Sequence, residues 1–199
     1  VIEAPVGQII NGQPATADEW PAAGGLLADG TVSFFGTELD VTIFMCSSTL
    51  IAPDVVLTAA HCVDQEFLEA QTGGLATIEE LRFVWSGEAD LSRYGLGDPN
   101  QGPPPLPADA AVGWDWPGHP DFVGAMGVQV GIAENHDIAL IFLEEPVLDV
   151  PHAYLPTPDE DAQLVEGAPV TIVGWGNQEP VPPGSQPQPG KVAVKMQAE

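Results

Sequence analysis

Histidine and serine side chains are the groups of this chain that could carry nucleophilic or acid–base chemistry. The 199 residues contain four histidines and six serines. A neutral imidazole, with a reference pKa of about 6.5, can take a proton from a hydroxyl near neutral pH. A carboxylate on its other nitrogen fixes the tautomer and stabilises the imidazolium. His61 follows one apolar stretch and Asp137 precedes another. A histidine in an apolar stretch is usually structural, so residue type alone leaves the role of His61 open.

The two cysteines, Cys46 and Cys62, are 16 positions apart. This spacing excludes a C-x2-C metal pair. A disulfide between them would close a short loop and contribute roughly 3 kcal/mol on a chain-entropy model. Composition alone is equally compatible with two reduced cysteines in a core.

Acidic residues dominate the charge of the chain. Twenty-nine Asp and Glu residues against four Lys and Arg residues give a formal net charge of -25. Such a chain repels nucleic acid and anionic membranes and attracts cationic partners, although surface hydration in salty surroundings is the simpler reason for the charge. No apolar run approaches the roughly 20 residues of a membrane span. The first residues lack signal-peptide features, so any leader is expected to have been removed.

Short apolar runs separated by glycine and proline predict many brief strands. From residue 44 the sequence predicts a strand, a turn at Pro53-Asp54, a second strand and then a tight segment at residues 58–62. Further predicted strands are residues 81–85, half-buried, and residues 127–132, 138–143 and 170–175. Residues 66–80 are the one helical window, for which a loop with one helical turn is an equal alternative. Proline-rich residues 102–107 and 180–190 are expected to be exposed loops. This pattern without βαβ alternation predicts an all-β barrel or sandwich.

Several segments, in order along the chain, resemble the trypsin and chymotrypsin family of serine proteases. Leu57-Thr58-Ala59-Ala60-His61-Cys62 is similar to the family's histidine signature, and residues 46–51 (CSSTLI) resemble its Cys-Gly-Gly-Ser-Leu-Ile strand. Residues 135–140 (NHDIAL) resemble its Asn-Asp-Ile-Ala-Leu segment. Further similar segments are residues 9–12 with 19–21 at the mature N-terminus, 119–122, 155–157, and Gly167 with 173–176.

The resemblance implies a role for each of these residues. His61 is expected to be the general base, Asp137 its orienting carboxylate, and Cys46–Cys62 a disulfide that holds the loop of the base. His119 is expected to pack a loop, and His136 to be a solvated neighbour of Asp137. The implied fold is all-β, a trypsin-like double β-barrel with the first barrel complete and the second only partly supplied by this chain. The expected divisions are an N-terminal extension or pro-segment at 1–8, a barrel at 9–150, a linker at 151–166 and the first strands of the second barrel at 167–199.

The sequence also departs from the family's pattern. It contains no Gly-Asp-Ser-Gly-Gly segment, and none of its serines has that setting; they are Ser33, Ser47, Ser48, Ser86, Ser92 and Ser185. Members of the family usually free an Ile amine by cleavage after Arg or Lys, which would make Ile9 the activation N-terminus here. Gln8 is an unusual residue for that cleavage.

The leading interpretation is a secreted or periplasmic serine endopeptidase that uses a Ser-His-Asp triad on polypeptide substrates. A separate C-terminal chain would carry its serine. The alternative is a catalytically inactive homologue acting as a binding or regulatory protein, which the retention of both His61 and Asp137 disfavours. An acidic, calcium-dependent adhesion module would explain the charge but none of the motifs. No cofactor, metal, nucleic acid or membrane is predicted. Calcium is the one ion left open, because acidic residues 64–80 lie where some family members bind it.

Overall fold

The computed structural model describes residues 13–16, 18–85, 106–124, 132–176 and 194–198. Within these ranges the strands are β1 Gln13–Pro14, β2 Ala23–Phe34, β3 Thr37–Ala52, β4 Val55–Thr58, β5 Ala76–Val84, β6 Ala110–Asp115, β7 Ala139–Leu143, β8 Ile172–Gly176 and β9 Val194–Ala198. The helical elements are a 3-10 turn at Ala60–Cys62, α1 Gln65–Thr72, α2 Ile132–Asn135 and α3 Pro158–Asp161. None of the helices described is long and apolar enough to span a membrane.

Six of these strands close into a barrel in the order β2-β3-β4-β7-β6-β5, and every neighbouring pair is antiparallel. The interior is filled by fully buried apolar side chains from five different strands, including Leu26, Leu50, Val56, Phe83 and Ile141. Branched and aromatic residues at alternate strand positions therefore point into one core. The closed barrel confirms the all-β prediction.

A second sheet lies beside the barrel and contains β1, β9 and β8 in that order within the described part of the chain. It is the partial second barrel that was predicted. Six large apolar side chains between residues 154 and 172, after the last barrel strand, are at least 58% exposed. They are Tyr154, Leu155, Leu164, Val165, Val170 and Ile172.

Strand β5 differs from the prediction of a half-buried strand, because its last four residues are all buried. Two of them belong to the barrel interior. Val84 instead packs outside the barrel against Trp175, and Arg82 forms an ion pair with the buried Asp29. The outer face of the strand is therefore covered as well as the inner face, which a two-residue alternation in the sequence cannot reveal.

The helical predictions are partly right. The window at residues 66–80 contains a real helix, α1, but it ends at Thr72 and strand β5 begins at Ala76. Ile132 was expected to end a strand and instead begins the one-turn helix α2. Residues 127–131 of that predicted strand lie outside the described residues. The same holds for residues 1–8, Ile9, residues 180–190 and Glu199.

Candidate active site

His61 lies in the tight 3-10 turn that follows strand β4. Backbone bonds from the N–H groups of Cys62 and Val63 to the carbonyls of Ala59 and Ala60, at 3.1 and 3.0 Å, form this turn. Cys62 is 2% exposed and is bonded to Cys46 in strand β3, with the two Cα atoms 6.2 Å apart. The predicted disulfide is thereby confirmed, and it ties the turn that carries His61 to the barrel wall.

Strand pairing brings Asp137 to this turn from 76 positions away. Thr58, at the end of β4, is the pairing partner of Ala139, at the start of β7. Because the pair is antiparallel, residues that follow Thr58 lie near residues that precede Ala139. A backbone reversal at His136, where φ is 51°, and a bond from the Ile138 N–H to the His136 carbonyl, at 2.8 Å, then direct Asp137 toward the turn.

The Asp137 carboxylate contacts His61 at two points. Its Oδ1 accepts from the His61 backbone N–H at 2.9 Å, and its Oδ2 lies 2.7 Å from the ring Nδ1. A carboxylate can only accept, so the ring proton belongs on Nδ1 and Nε2 remains an acceptor. The side chains of His61 and Asp137 are 35% and 28% exposed, so the pair is partly shielded from water while the imidazole stays accessible.

This arrangement can perform general acid–base chemistry. A neutral imidazole with its proton held on Nδ1 can take a second proton at Nε2, and the adjacent carboxylate stabilises the imidazolium that results. The Nε2 atom lies 3.4 Å from Cys62 Sγ and 3.9 Å from Cys46 Sγ, against the disulfide. The disulfide therefore limits how far the ring can tilt.

Two phenylalanine rings lie beside His61, and the sequence did not predict them there. Phe67 of helix α1 lies with its ring centroid 5.8 Å from the His61 ring, and Phe122 lies 6.2 Å from Phe67. The signal that could have found Phe67 is Asp64, which caps helix α1 by accepting from the Phe67 N–H at 2.6 Å. The Asp64 cap fixes where helix α1 begins after the turn, and Phe67 is the first apolar residue of that helix.

The two neighbouring histidines form a stacked pair. The rings of His119 and His136 are 4.9 Å apart and nearly parallel, at 12°. His136 is exposed beside Asp137, and the His119 ring nitrogen Nδ1 accepts from the Asp121 backbone N–H at 3.1 Å. These contacts order the loop on which Asp137 lies.

The remaining candidate residues have other surroundings. Among the residues that the structure describes, the one cluster of three candidate metal ligands is Cys46, His61 and Cys62. Its two sulfurs are joined in the disulfide, so they are not thiolate ligands. Ser47 and Ser48 lie in strand β3 and bond to backbone groups, Ser47 to Trp175 and Ser48 to Gly24.

Comparison with known proteins supports the resemblance to the trypsin family. A family model described as Trypsin matches residues 9–89. Phenoloxidase-activating factor 1 of Holotrichia diomphalia is 28% identical over 176 residues, which are 86% of this chain and 42% of that protein. Spermosin of Halocynthia roretzi is 33% identical over 95 residues, 48% of this chain and 21% of that protein. The chain is similar to the trypsin-like serine protease family over the matched residues.

A solved structure supports the trypsin-like fold. The structure described as HL collagenase superimposes with a TM-score of 0.52 at 18% identity, over 96% of this chain and 61% of that one. This likeness concerns the fold alone. The chain spans less than half the length of the two protease-family relatives named above. Trypsin-like proteases act on polypeptides, and the disulfide is typical of proteins in oxidising compartments.

Proposed function

We propose that this chain is the part of a secreted serine endopeptidase that supplies the general base, His61, and its orienting carboxylate, Asp137. The observation that carries the proposal is the two-point contact between Asp137 and the backbone and ring of His61. A ring held in this way has one defined tautomer and one defined orientation, which is what abstraction of a serine proton requires. A purely structural histidine would need neither.

The nucleophile in this proposal is a serine on further polypeptide, a separate C-terminal chain. The exposed apolar surface between residues 154 and 172 supports such a chain, because it would cover side chains such as Tyr154, 84% exposed, and Val165, 67% exposed. The serine hydroxyl would give its proton to Nε2 of His61 as its oxygen bonds to the substrate carbonyl carbon. The imidazolium would then return the proton to the leaving amine.

A fluorophosphonate probe tests this proposal on the natural protein, isolated with whatever polypeptide accompanies this chain. We expect one serine outside residues 1–199 to be labelled. His61→Ala should slow labelling by at least about 10³-fold, because the serine loses its base. Thr77→Ala removes an exposed hydroxyl that bonds to Thr31, neither of which the proposal uses, and should change nothing. A folded natural protein that is not labelled would contradict the proposal and favour an inactive homologue with a binding or regulatory role.

A further inference from the structure

Trp175 is a point at which the second sheet packs against the outside of the barrel. The residue belongs to strand β8 and is 1% exposed. Its indole stacks on Phe44, with centroids 6.3 Å apart, and packs with three buried side chains on the outside of the barrel, Leu27, Val84 and Ala110. Gly25 leaves room for the ring, because a Cβ there would lie 3.1 Å from Trp175 Cε3.

One hydroxyl group joins the backbone of Trp175 to strand β3. Ser47 Oγ donates to the Trp175 carbonyl at 3.0 Å and accepts from the Trp175 N–H at 2.7 Å. A hydroxyl carries one proton and two acceptor lone pairs, so both bonds form together. The N–H and carbonyl of one strand residue point to the same side. Ser47 therefore satisfies both groups of Trp175 that a neighbouring strand would otherwise bind.

One hydrogen bond and one disulfide connect Ser47 and its neighbour to the turn that carries His61. The Ser47 carbonyl accepts from Thr58 Oγ1 at 3.2 Å, and Thr58 is the last residue of β4, three positions before His61. The residue before Ser47 is Cys46, whose disulfide partner, Cys62, directly follows His61. The second sheet is thus joined to both ends of the turn that carries the imidazole.

We propose that Ser47 is a positioning residue that fixes the second sheet relative to the His61 turn. This inference rests on the proposed function, in which the nucleophile belongs to the same lobe as Trp175. Ser47 stands where the Cys-Gly-Gly-Ser-Leu-Ile strand that residues 46–51 resemble has a glycine, which carries no hydroxyl. Reacting groups on two lobes need a fixed separation, and a misplacement of about 1 Å can cost about 10²-fold in rate.

The test compares three variants of the natural protein with whatever polypeptide accompanies this chain. Ser47→Ala removes both bonds to Trp175. Ser47→Thr keeps a hydroxyl at the same place and is the rescue variant. Ser48→Ala is the matched control, because it removes the next hydroxyl of the same strand, whose one bond is to the Gly24 carbonyl at 3.5 Å within the barrel.

Three quantities are measured for each variant. The first is hydrogen exchange at the Trp175 amide, which Ser47→Ala should accelerate by about 10- to 100-fold through the loss of two partly buried bonds. The second is the split between kcat and KM: kcat should fall by about 10-fold or more with KM within about twofold, because the second lobe keeps its own internal structure. The third is the downfield NMR signal of the proton between His61 Nδ1 and Asp137, which should broaden.

The results either support or overturn the positioning role of Ser47. Faster exchange, lower kcat and a broadened proton signal in Ser47→Ala, with recovery in Ser47→Thr and no change in Ser48→Ala, support the inference. Unchanged exchange at Trp175, or faster exchange with unchanged kcat and proton signal, overturns it. If the natural protein proves to have no reactive serine, the proposed function fails while exchange and the proton signal still decide whether Ser47 positions the His61 turn.

Discussion

Replacing Asp137 with asparagine is expected to leave the fold intact and to lower kcat by about 10⁴-fold, a magnitude known for this change in serine proteases. The carboxylate accepts two bonds from His61, one from the backbone N–H at 2.9 Å and one from Nδ1 at 2.7 Å. An asparagine amide offers one oxygen and one NH2 group, so only one of the two bonds can keep its acceptor.

The geometry decides which bond that is. The backbone N–H of His61 cannot lose its proton, so the NH2 group cannot face it without placing two donors together. The amide oxygen therefore keeps the backbone bond and the NH2 group donates to Nδ1. The ring proton must move to Nε2, where it blocks acceptance of the serine proton. The change in unfolding free energy should stay below about 2 kcal/mol, because a charge-assisted bond is replaced by a neutral one.

The assay measures kcat with a peptide substrate, the rate of fluorophosphonate labelling, and urea unfolding of the same preparations. Asp121→Asn is the matched control, because that carboxylate is 75% exposed and lies 4.0 Å from the Nδ1 atom of His119. ¹⁵N chemical shifts of the His61 ring report the tautomer directly. An Asp137→Asn protein that keeps a tenth of the activity, or that keeps its proton on Nδ1, would refute the reasoning.

Two further changes test the packing that supports the site. Gly25→Ala places a Cβ 3.1 Å from Trp175 and 3.2 Å from Phe44, and this overpacking should lower the unfolding free energy by about 1–3 kcal/mol; no loss would show that β8 moves freely. Arg82→Met leaves the Asp29 carboxylate buried without its guanidinium and should cost about 3–5 kcal/mol near pH 7. Burial already raises the pKa of Asp29, despite the opposing effects of its hydrogen bond and of Arg82. Because the folded state then binds the proton more tightly, the stability lost at neutral pH should return as pH falls through the raised pKa toward the ordinary value of 3.8. Urea unfolding at several pH values measures this, and a loss independent of pH would contradict it.

The parts of the site that could be predicted depend on short segments. The turn with His61, the disulfide and the Asp137 segment each have their own residue pattern, and the barrel brings them together through one strand pair, β4 with β7. Their contact was therefore predictable once the family's pattern was recognised. The roles of His61 and Asp137 in catalysis stay predictions.

Features that depend on what covers the outer face of the barrel were not predictable. Ser47 and Trp175 are 128 positions apart and have no pattern in common. The burial of Arg82 depends on Asp29 in a neighbouring strand, and the alternation at residues 81–85 indicated only one covered face. Strand periodicity reports which residues share a face, but a second layer over that face is a tertiary property.

Catalysis would require both the contact of His61 with Asp137 and a fixed distance between His61 and the serine. In the structure these two requirements depend on different elements. The contact of His61 with Asp137 is made by groups of the barrel, through β4, β7 and the disulfide, and the second sheet reaches it only through the turn that carries His61. The relation of His61 to a nucleophile on the second lobe depends instead on the junction at Trp175. Changes inside the barrel should therefore alter the tautomer of the imidazole, whereas changes at the junction should loosen the His61 turn and alter its distance from the serine. A junction variant with a normal His61–Asp137 contact and normal turnover would show that the two lobes are held together elsewhere.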